Sequence, residues 1–441
     1  MARQITSISS AVDIIAVGTA ISSEMSELSR RAKEEGAAYP KKRFVCNKVT
    51  RHLGERIFMA LIGPRGAGKS IILQQIHHAS ESSFYISLDS QKPDSLYDIA
   101  KEISDSGIWL LLLDEIHRYP NYAAELKKIY DFLPKIRIVF TSSCAIILHE
   151  LSHDLSRRVR IVRVPPFSFR EFLFFERSQE LAPLSWGGLL DLKGSREYYG
   201  KTVETESLFE PYLMGRNYPF SLGKTDLLPL FGSMLQTVIE KDLVSSSKIS
   251  QEESFELRRM LQFIGRAPTE GTSYSSISAN AGISRYKAQK YTELLEKSFV
   301  LRRIMPKGTN VNKEPKILFS PPYRLLYRQY GECIGDLRED FFADAASRLT
   351  GPGETEVPFA YLKSTRGEKV PDYVLNGVVC EIGGRGKGRS QFKGYTAKKK
   401  LIFTHPGTLD EMRRPLFFAG MLKEAEDSDQ PRNLAKSVTV E

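Results

Sequence analysis

The chain has 441 residues, enough for about two to four domains, and its 41% hydrophobic and 26% charged residues are ordinary for a soluble globular protein. No apolar run reaches the roughly 18 residues of a membrane span, and the patch from Ile14 to Ile21 follows Asp13 without a basic n-region, so neither a membrane partner nor a signal peptide is expected. The net charge of +10 favours an anionic partner, and Cys46, Cys144, Cys333 and Cys380, with no CxxC spacing, read as reduced thiols of a cytoplasmic protein, not a disulfide framework or zinc site.

Residues 1–44 read as a flexible or helical lead-in. Phe58 to Ile62 then reads as a buried strand, and Gly63-Pro64-Arg65-Gly66-Ala67-Gly68-Lys69-Ser70 fits G-x-x-x-x-G-K-[ST]. Glycines let backbone N–H groups turn inward around a phosphate, and the helix that starts at Ile71 adds partial positive charge. Lys69 is placed to reach the β- and γ-phosphates, and Ser70 to ligate Mg²⁺. Ile108 to Leu113 is a run of six apolar residues, a strand buried on both faces. Asp114 and Glu115 follow at its carboxyl end, Asp114 for the Mg²⁺ and Glu115 to orient and deprotonate the attacking water. Strands at Phe84–Leu88, Ile136–Phe140 and Val159–Val164 complete an α/β fold, a doubly wound parallel sheet with the phosphate loop after its first strand. Ser142 or Ser143, at the tip of the fourth strand, is placed to sense the γ-phosphate, and a plain strand-end turn is the alternative.

Three stretches, "LLLDEIHRYPNYAAELKKIYD", "VFTSS" and "SRRVRIVRVPPFSFREFL", resemble the AAA+-like ATPases of the AAA_14 and DUF4143 group. "PYLMGRNYPF" is similar to that family's Gly-Gly-x-Pro segment, with Arg216 in place of one glycine. The resemblance runs from about residue 45 to the end of the folded chain. It implies ATP, not GTP, as nucleotide, and no guanine-reading Asn-Lys-x-Asp motif is present. It also implies that Arg158, with Arg157 as rival, acts at the nucleotide across a subunit boundary, which requires a homo-oligomer. The expected organisation is an ATPase core over 45–180 and a helical lid or linker over 181–250.

Residues 251–330 carry 14 Lys and Arg against 7 Asp and Glu, most of the chain's excess charge. "YSSISANAGISRYKAQKYTELLEKSFVLRRI" keeps a helical apolar spacing broken at Gly282, the pattern of a helix-turn-helix, and Phe299 to Ile304 reads as the strand of a winged helix. Arg285, Lys287 and Lys290 on the second helix face outward, a surface for double-stranded DNA, with a packing-only role as the alternative.

Residues 331–420 read as a helix followed by a hairpin. Glu339, Asp372 and Glu381 resemble three acids of the PD-(D/E)xK nuclease core. Gly383 stands where the core lysine belongs, and Lys387 or Gln391 is the substitute. A degenerate domain that binds without cutting is the expectation, because a side chain on so Gly-rich a loop is poorly preorganised. The tail over 421–441 reads as disordered.

Overall fold

The computed structural model describes residues 20–144, 155, 157–244, 248–308, 314–349, 358–362, 370–392 and 395–424. They fall into two compact units, one ending at Pro165 and the other beginning at Pro166.

The first unit is built on five parallel strands: β1 (Phe58–Ile62), β2 (Ser83–Ser87), β3 (Leu110–Asp114), β4 (Arg137–Ser142) and β5 (Val159–Arg163). Their order across the sheet is β2-β3-β4-β1-β5. Every residue of β1 and β3 is buried, which is why these strands read as unbroken apolar runs. Met59, Leu61, Leu110, Leu112, Val139 and Val162 share a core with Ile72 and Ile76 of the helix α3 (Lys69–Ala79) that follows the loop. The alternate residues Phe84, Ile86, Leu111 and Leu113 are equally buried, so both faces of the sheet are covered.

The lead-in is not separate from this unit. A helix over Ser23–Ala38, capped by Ser22 Oγ accepting the Met25 N–H at 3.1 Å, packs on α3 and β2. A Cβ at Gly36 would stand 2.1 Å from the Gln74 carbonyl oxygen, so glycine permits that approach. A second helix, Val45–His52, adds Val45 and Val49 to the same core. Residues 1–19, including most of the Ile14–Ile21 patch, lie outside the described residues.

The second unit contains helices at Gln251–Arg266, Tyr274–Ala281 and Arg285–Lys297, then an antiparallel pair, β6 (Leu301–Ile304) and β7 (Lys316–Phe319). The Tyr330–Ala346 helix follows. Then come β8 (Phe359–Tyr361), β9 (Tyr373–Leu375), β10 (Val378–Gly383), β11 (Lys400–Thr404) and β12 (Arg413–Pro415), in one mixed sheet ordered β12-β11-β10-β9-β8. One core runs from Ile304 and Leu318 through Phe341 and Phe342 to Tyr373 and Phe403. The division expected near residue 330 is thus no break in packing. Met421 and Leu422 are buried in the same core, so the chain is ordered past the start of the expected tail; residues 425–441 lie outside the described residues. No helix among the described residues is long and apolar enough to cross a membrane.

Candidate functional site

The loop and the acids meet at the carboxyl edge of the parallel sheet. A Cβ at Gly63 would lie 1.9 Å from the Val164 carbonyl oxygen, so only glycine lets the loop leave β1 beside β5. Gly68 has φ +85°, the left-handed turn that opens α3. Lys69 Nζ donates to the carbonyls of Gly63 (2.9 Å) and Pro64 (3.0 Å), so its charge lies along the loop. Ser70 hydrogen-bonds Asp114. The two expected Mg²⁺ ligands, one from the loop and one from β3, are thereby brought together.

Asp114 Oδ1 also accepts from Thr141 Oγ1 (2.5 Å), and Oδ2 from the Tyr85 hydroxyl (3.2 Å). Burial raises the Asp114 carboxyl above its usual range, helped by the neighbouring Glu115 and opposed by Thr141, Ser70 and Lys69. Glu115 has φ +55°, a left-handed conformation uncommon for a glutamate. Its N–H donates to Thr141 Oγ1 (2.8 Å), and its Oε2 accepts the Ser143 N–H (3.1 Å). His117 Nδ1 is 3.2 Å from the same Oε2 and 3.2 Å from Ser142 Oγ. Burial pushes the Glu115 carboxyl up, but Lys69, His117, Arg65 and the Ser143 N–H together hold it below the usual range. The carboxylate is therefore charged at neutral pH.

Sequence reasoning missed four of these groups. Thr141, Tyr85 and His117 fix the two acids. Buried Arg43 donates from Nη1 to the carbonyls of Ala67 in the loop (2.6 Å) and Pro165 after β5 (2.8 Å). The signals were a threonine at the tip of the sensing strand and a histidine two residues after Glu115. Tyr85 and Arg43 carried none, since both act from distant sequence.

Arg158 is not at this edge. Its carbonyl accepts the Phe58 N–H, so it stands at the opposite end of the sheet, paired with Asp131 at 3.0 Å. Within one chain neither it nor the adjacent Arg157 reaches the loop.

In the second unit the outward cations of the Arg285–Lys297 helix have internal partners. Arg285 pairs with Glu314 (2.8 Å), Lys287 with Glu256 (2.7 Å) and Lys290 with Glu253 (2.9 Å). Their charge is largely compensated, which net charge alone did not reveal.

The C-terminal acids do converge. Glu339 accepts from Thr269 Oγ1 and the Tyr373 hydroxyl, both at 2.9 Å, and pairs with Lys316. Asp372 Oδ2 accepts the Ile382 N–H (2.7 Å). Burial raises the Asp372 carboxyl well above its usual range, with Glu339 and Glu381 adding to it. Glu381, expected to end its strand, lies inside β10 and is 1% exposed. Lys387 Nζ stands 2.6 Å from its Oε1. A Cβ on Gly383 would meet Lys387 Cδ at 2.8 Å and Cγ at 2.9 Å, so the lysine stem fills the space that glycine leaves empty. Lys387, read from the sequence as a candidate substitute on a poorly preorganised loop, stands beside Glu381, its stem in the space a Gly383 side chain would take. The Gln391 side chain lies outside the described residues.

Residues 55–173 match the AAA_14 family model, described as an AAA domain, and residues 221–320 match a domain of unknown function, DUF8612. No curated protein matches the chain. The chain is similar to the solved Walker-type ATPase PABY2304 of Pyrococcus abyssi at 14% identity over 64% of this chain and 94% of that one, with a TM-score of 0.41. It is similar to RuvB of Thermotoga maritima at 16% identity over 62% and 89%, with a TM-score of 0.25. It is also similar to a chain of Drosophila ORC bound to AT-rich DNA and Cdc6, at 11% identity over 70% and 96%, with a TM-score of 0.20. Over residues 55–173, which hold the loop and both acids, the chain thus matches the model of an AAA domain.

Proposed function

We propose that the first unit binds ATP with Mg²⁺ and hydrolyses it. The observation that carries this reading is the convergence of Lys69, Ser70, Asp114 and Glu115 on one edge of the sheet. The donor set suits a hard cation: a hydroxyl hydrogen-bonded to a carboxylate, both oxygen ligands, beside glycine backbone that can approach phosphates closely. When bound, Mg²⁺ neutralises charge on the β- and γ-phosphate oxygens. The chain does the rest. Lys69 pairs with the phosphates, the loop amides and the start of α3 hold them, and Glu115 takes the proton of the attacking water. Held ionised and fixed by Ser143 and His117, Glu115 is preorganised for that step.

The test is nucleotide affinity and turnover in two variants. Lys69→Ala should lose tight ATP binding, because a charge-assisted interaction in a partly dry site is gone. Glu115→Gln should keep binding and lose hydrolysis. Wild-type turnover by Glu115→Gln would overturn the assignment.

The reading extends to DNA through the basic, winged-helix-like region 251–330. A nucleotide-gated switch with negligible turnover is its alternative, separated by turnover measured with and without DNA. Arg158 acting on a neighbouring subunit's nucleotide is part of the same proposal, since it stands far from its own. Arg158→Ala should lower turnover only at concentrations where the chain self-associates.

A second reading, a metal-dependent nuclease at the C-terminal acids, is favoured by the placement of Lys387 on Glu381. Cleavage with Mg²⁺ or Mn²⁺ that disappears in Asp372→Ala and Lys387→Ala would establish it; binding without cleavage would make the domain a degenerate one.

A further inference from the structure

The Gln251–Arg266 helix presents a face that the duplex-DNA reading does not use. Phe255, Arg259, Gln262, Phe263 and Arg266 recur at three- and four-residue spacing, hence on one side. Phe255 is 64% exposed, a large apolar ring left in water. Arg259, Gln262, Phe263 and Arg266 line an open surface cavity of about 470 Å³, bounded on its other side by Asn280, Ala281 and Gly282 at the end of the Tyr274–Ala281 helix. No heavy atom lies within 4 Å of where a Gly282 Cβ would stand, so that wall leaves room for a ligand.

The cations of this face are less committed than their neighbours, Glu256 acting on Arg259 only from beyond ion-pair distance. Arg285, Lys287, Lys290 and Arg258 each have a carboxylate partner, whereas Arg259 and Arg266 have no ion pair among the described residues. With its amide oriented to satisfy both groups, Gln262 accepts from the two Arg266 Nη atoms at 3.1 and 3.2 Å, which steadies the guanidinium at the cavity. The two arginines are seven residues apart, about 10 Å along the helix axis, so they mark a path and not a point.

We propose that this face binds single-stranded nucleic acid, with Arg259 and Arg266 on successive parts of the backbone and Phe255 and Phe263 stacking on bases. Duplex DNA keeps its bases inside and offers an exposed ring only phosphates and sugars. A single strand offers both charge and π-faces, and an aromatic interleaved with arginines that lack ion pairs complements both. The inference rests on the nucleic-acid reading above but moves the binding surface to a different helix and a different strand state.

The test is fluorescence anisotropy of a labelled oligothymidylate and of a labelled duplex of equal length, titrated with the full chain at several salt concentrations. The single strand should bind more tightly than the duplex. Arg259→Ala/Arg266→Ala should weaken single-strand binding about tenfold or more and flatten its salt slope by about 1.4, roughly 0.7 for each phosphate no longer neutralised. Phe255→Ala should weaken it about fivefold to a hundredfold with the slope unchanged, and Phe255→Tyr should restore it. These side chains lie outside the ATPase site, so basal ATP turnover should not move and reports intact folding. If the wild type binds neither probe, the nucleic-acid reading itself fails. If it binds the single strand and these variants bind equally well, only this inference fails. Displacement of oligothymidylate by polyglutamate at the same charge concentration would also overturn it, in favour of an acidic protein partner.

Discussion

Thr141 Oγ1 stands 2.5 Å from Asp114 Oδ1, and the same oxygen accepts the Glu115 N–H at 2.8 Å. One hydroxyl at the tip of β4 thus fixes both acids at the end of β3. Thr141→Val keeps the shape and leaves a buried carboxylate and a backbone N–H each short of a partner. Urea unfolding should show a loss of about 1–3 kcal/mol. ATP turnover should fall further than ATP affinity, because Glu115 loses its backbone anchor. Thr141→Ser should retain most of both; a fully stable, fully active Thr141→Val would remove this hydroxyl from the site.

His117 lies between the Glu115 carboxylate and Ser142, 3.2 Å from each. The ring nitrogen's hydrogen bond is to Ser142, a contribution of about 0.5–1.5 kcal/mol, so removing it should lower kcat by about two- to tenfold. His117→Phe should show that drop with little change in KM, since the phosphate-binding groups stay in place. His117→Asn, which can offer a donor from nearly the same place, should recover part of it. A change in KM alone would point to a purely structural ring.

His77 is buried, with its ring nitrogens 2.7 Å from Ser83 Oγ and 3.0 Å from the Ser29 carbonyl oxygen. Burial, with a smaller push from Lys33 and His78, lowers its pKa to about 4. The unfolded side chain takes up a proton near pH 6.5, the folded one only near pH 4. Its contribution is therefore fully present above pH 6.5 and is lost as pH falls toward 4, by at most about 3 kcal/mol. His405 shifts in the same direction, so the wild-type profile alone does not isolate one ring. The difference in unfolding free energy between wild type and His77→Gln should shrink from pH 7 to pH 4.5. A difference independent of pH would contradict the buried neutral form.

Arg324 and Asp340 are both fully buried and paired twice, at 2.5 and 2.9 Å, with Asp340 Oδ1 also accepting the Phe319 N–H at 3.1 Å. Asp340→Ala leaves a guanidinium stranded in the core and should cost about 3–5 kcal/mol. The double variant Arg324→Met/Asp340→Leu should be less damaged than that single one. Chemical denaturation followed by far-UV circular dichroism measures both, and a double variant less stable than the single would show that the pair contributes net stability.

The parallel sheet was legible because its inner strands are buried on both faces and their apolar runs end at a loop or acid with its own chemistry, while the edge strand β5, with Ile161 40% exposed, shows a period-two alternation instead. Lys69, Ser70, Asp114 and Glu115 were legible for the same reason: they are fixed to strand ends. What the sequence hid depends on partners brought from afar. Arg43 reaches the loop across 24 residues, Tyr85 reaches Asp114 across 29, and Glu253 and Glu256 reach over to the cations of another helix. The sequence likewise does not show that the Lys387 stem occupies the volume a Gly383 side chain would fill. Nothing in the sequence near residue 330 announces that one core continues through it.

The helix over Ser23–Ala38 has a consequence for where an autonomous folding piece begins. Glu35 accepts from Gln74 at 2.6 Å, the carbonyls of Tyr39 and Lys41 accept from Gln75, and Ser29 meets His77. The family match starts at residue 55, after all of these partners and after Arg43. A fragment trimmed to 55–173 would bare the polar and apolar side of α3 together and release the Ala67 carbonyl from its anchor. Such a fragment should aggregate or remain unfolded, whereas one starting near residue 20 should behave as a soluble, nucleotide-responsive body; the smallest self-folding module of the first unit is thus longer at its front than its recognisable motif.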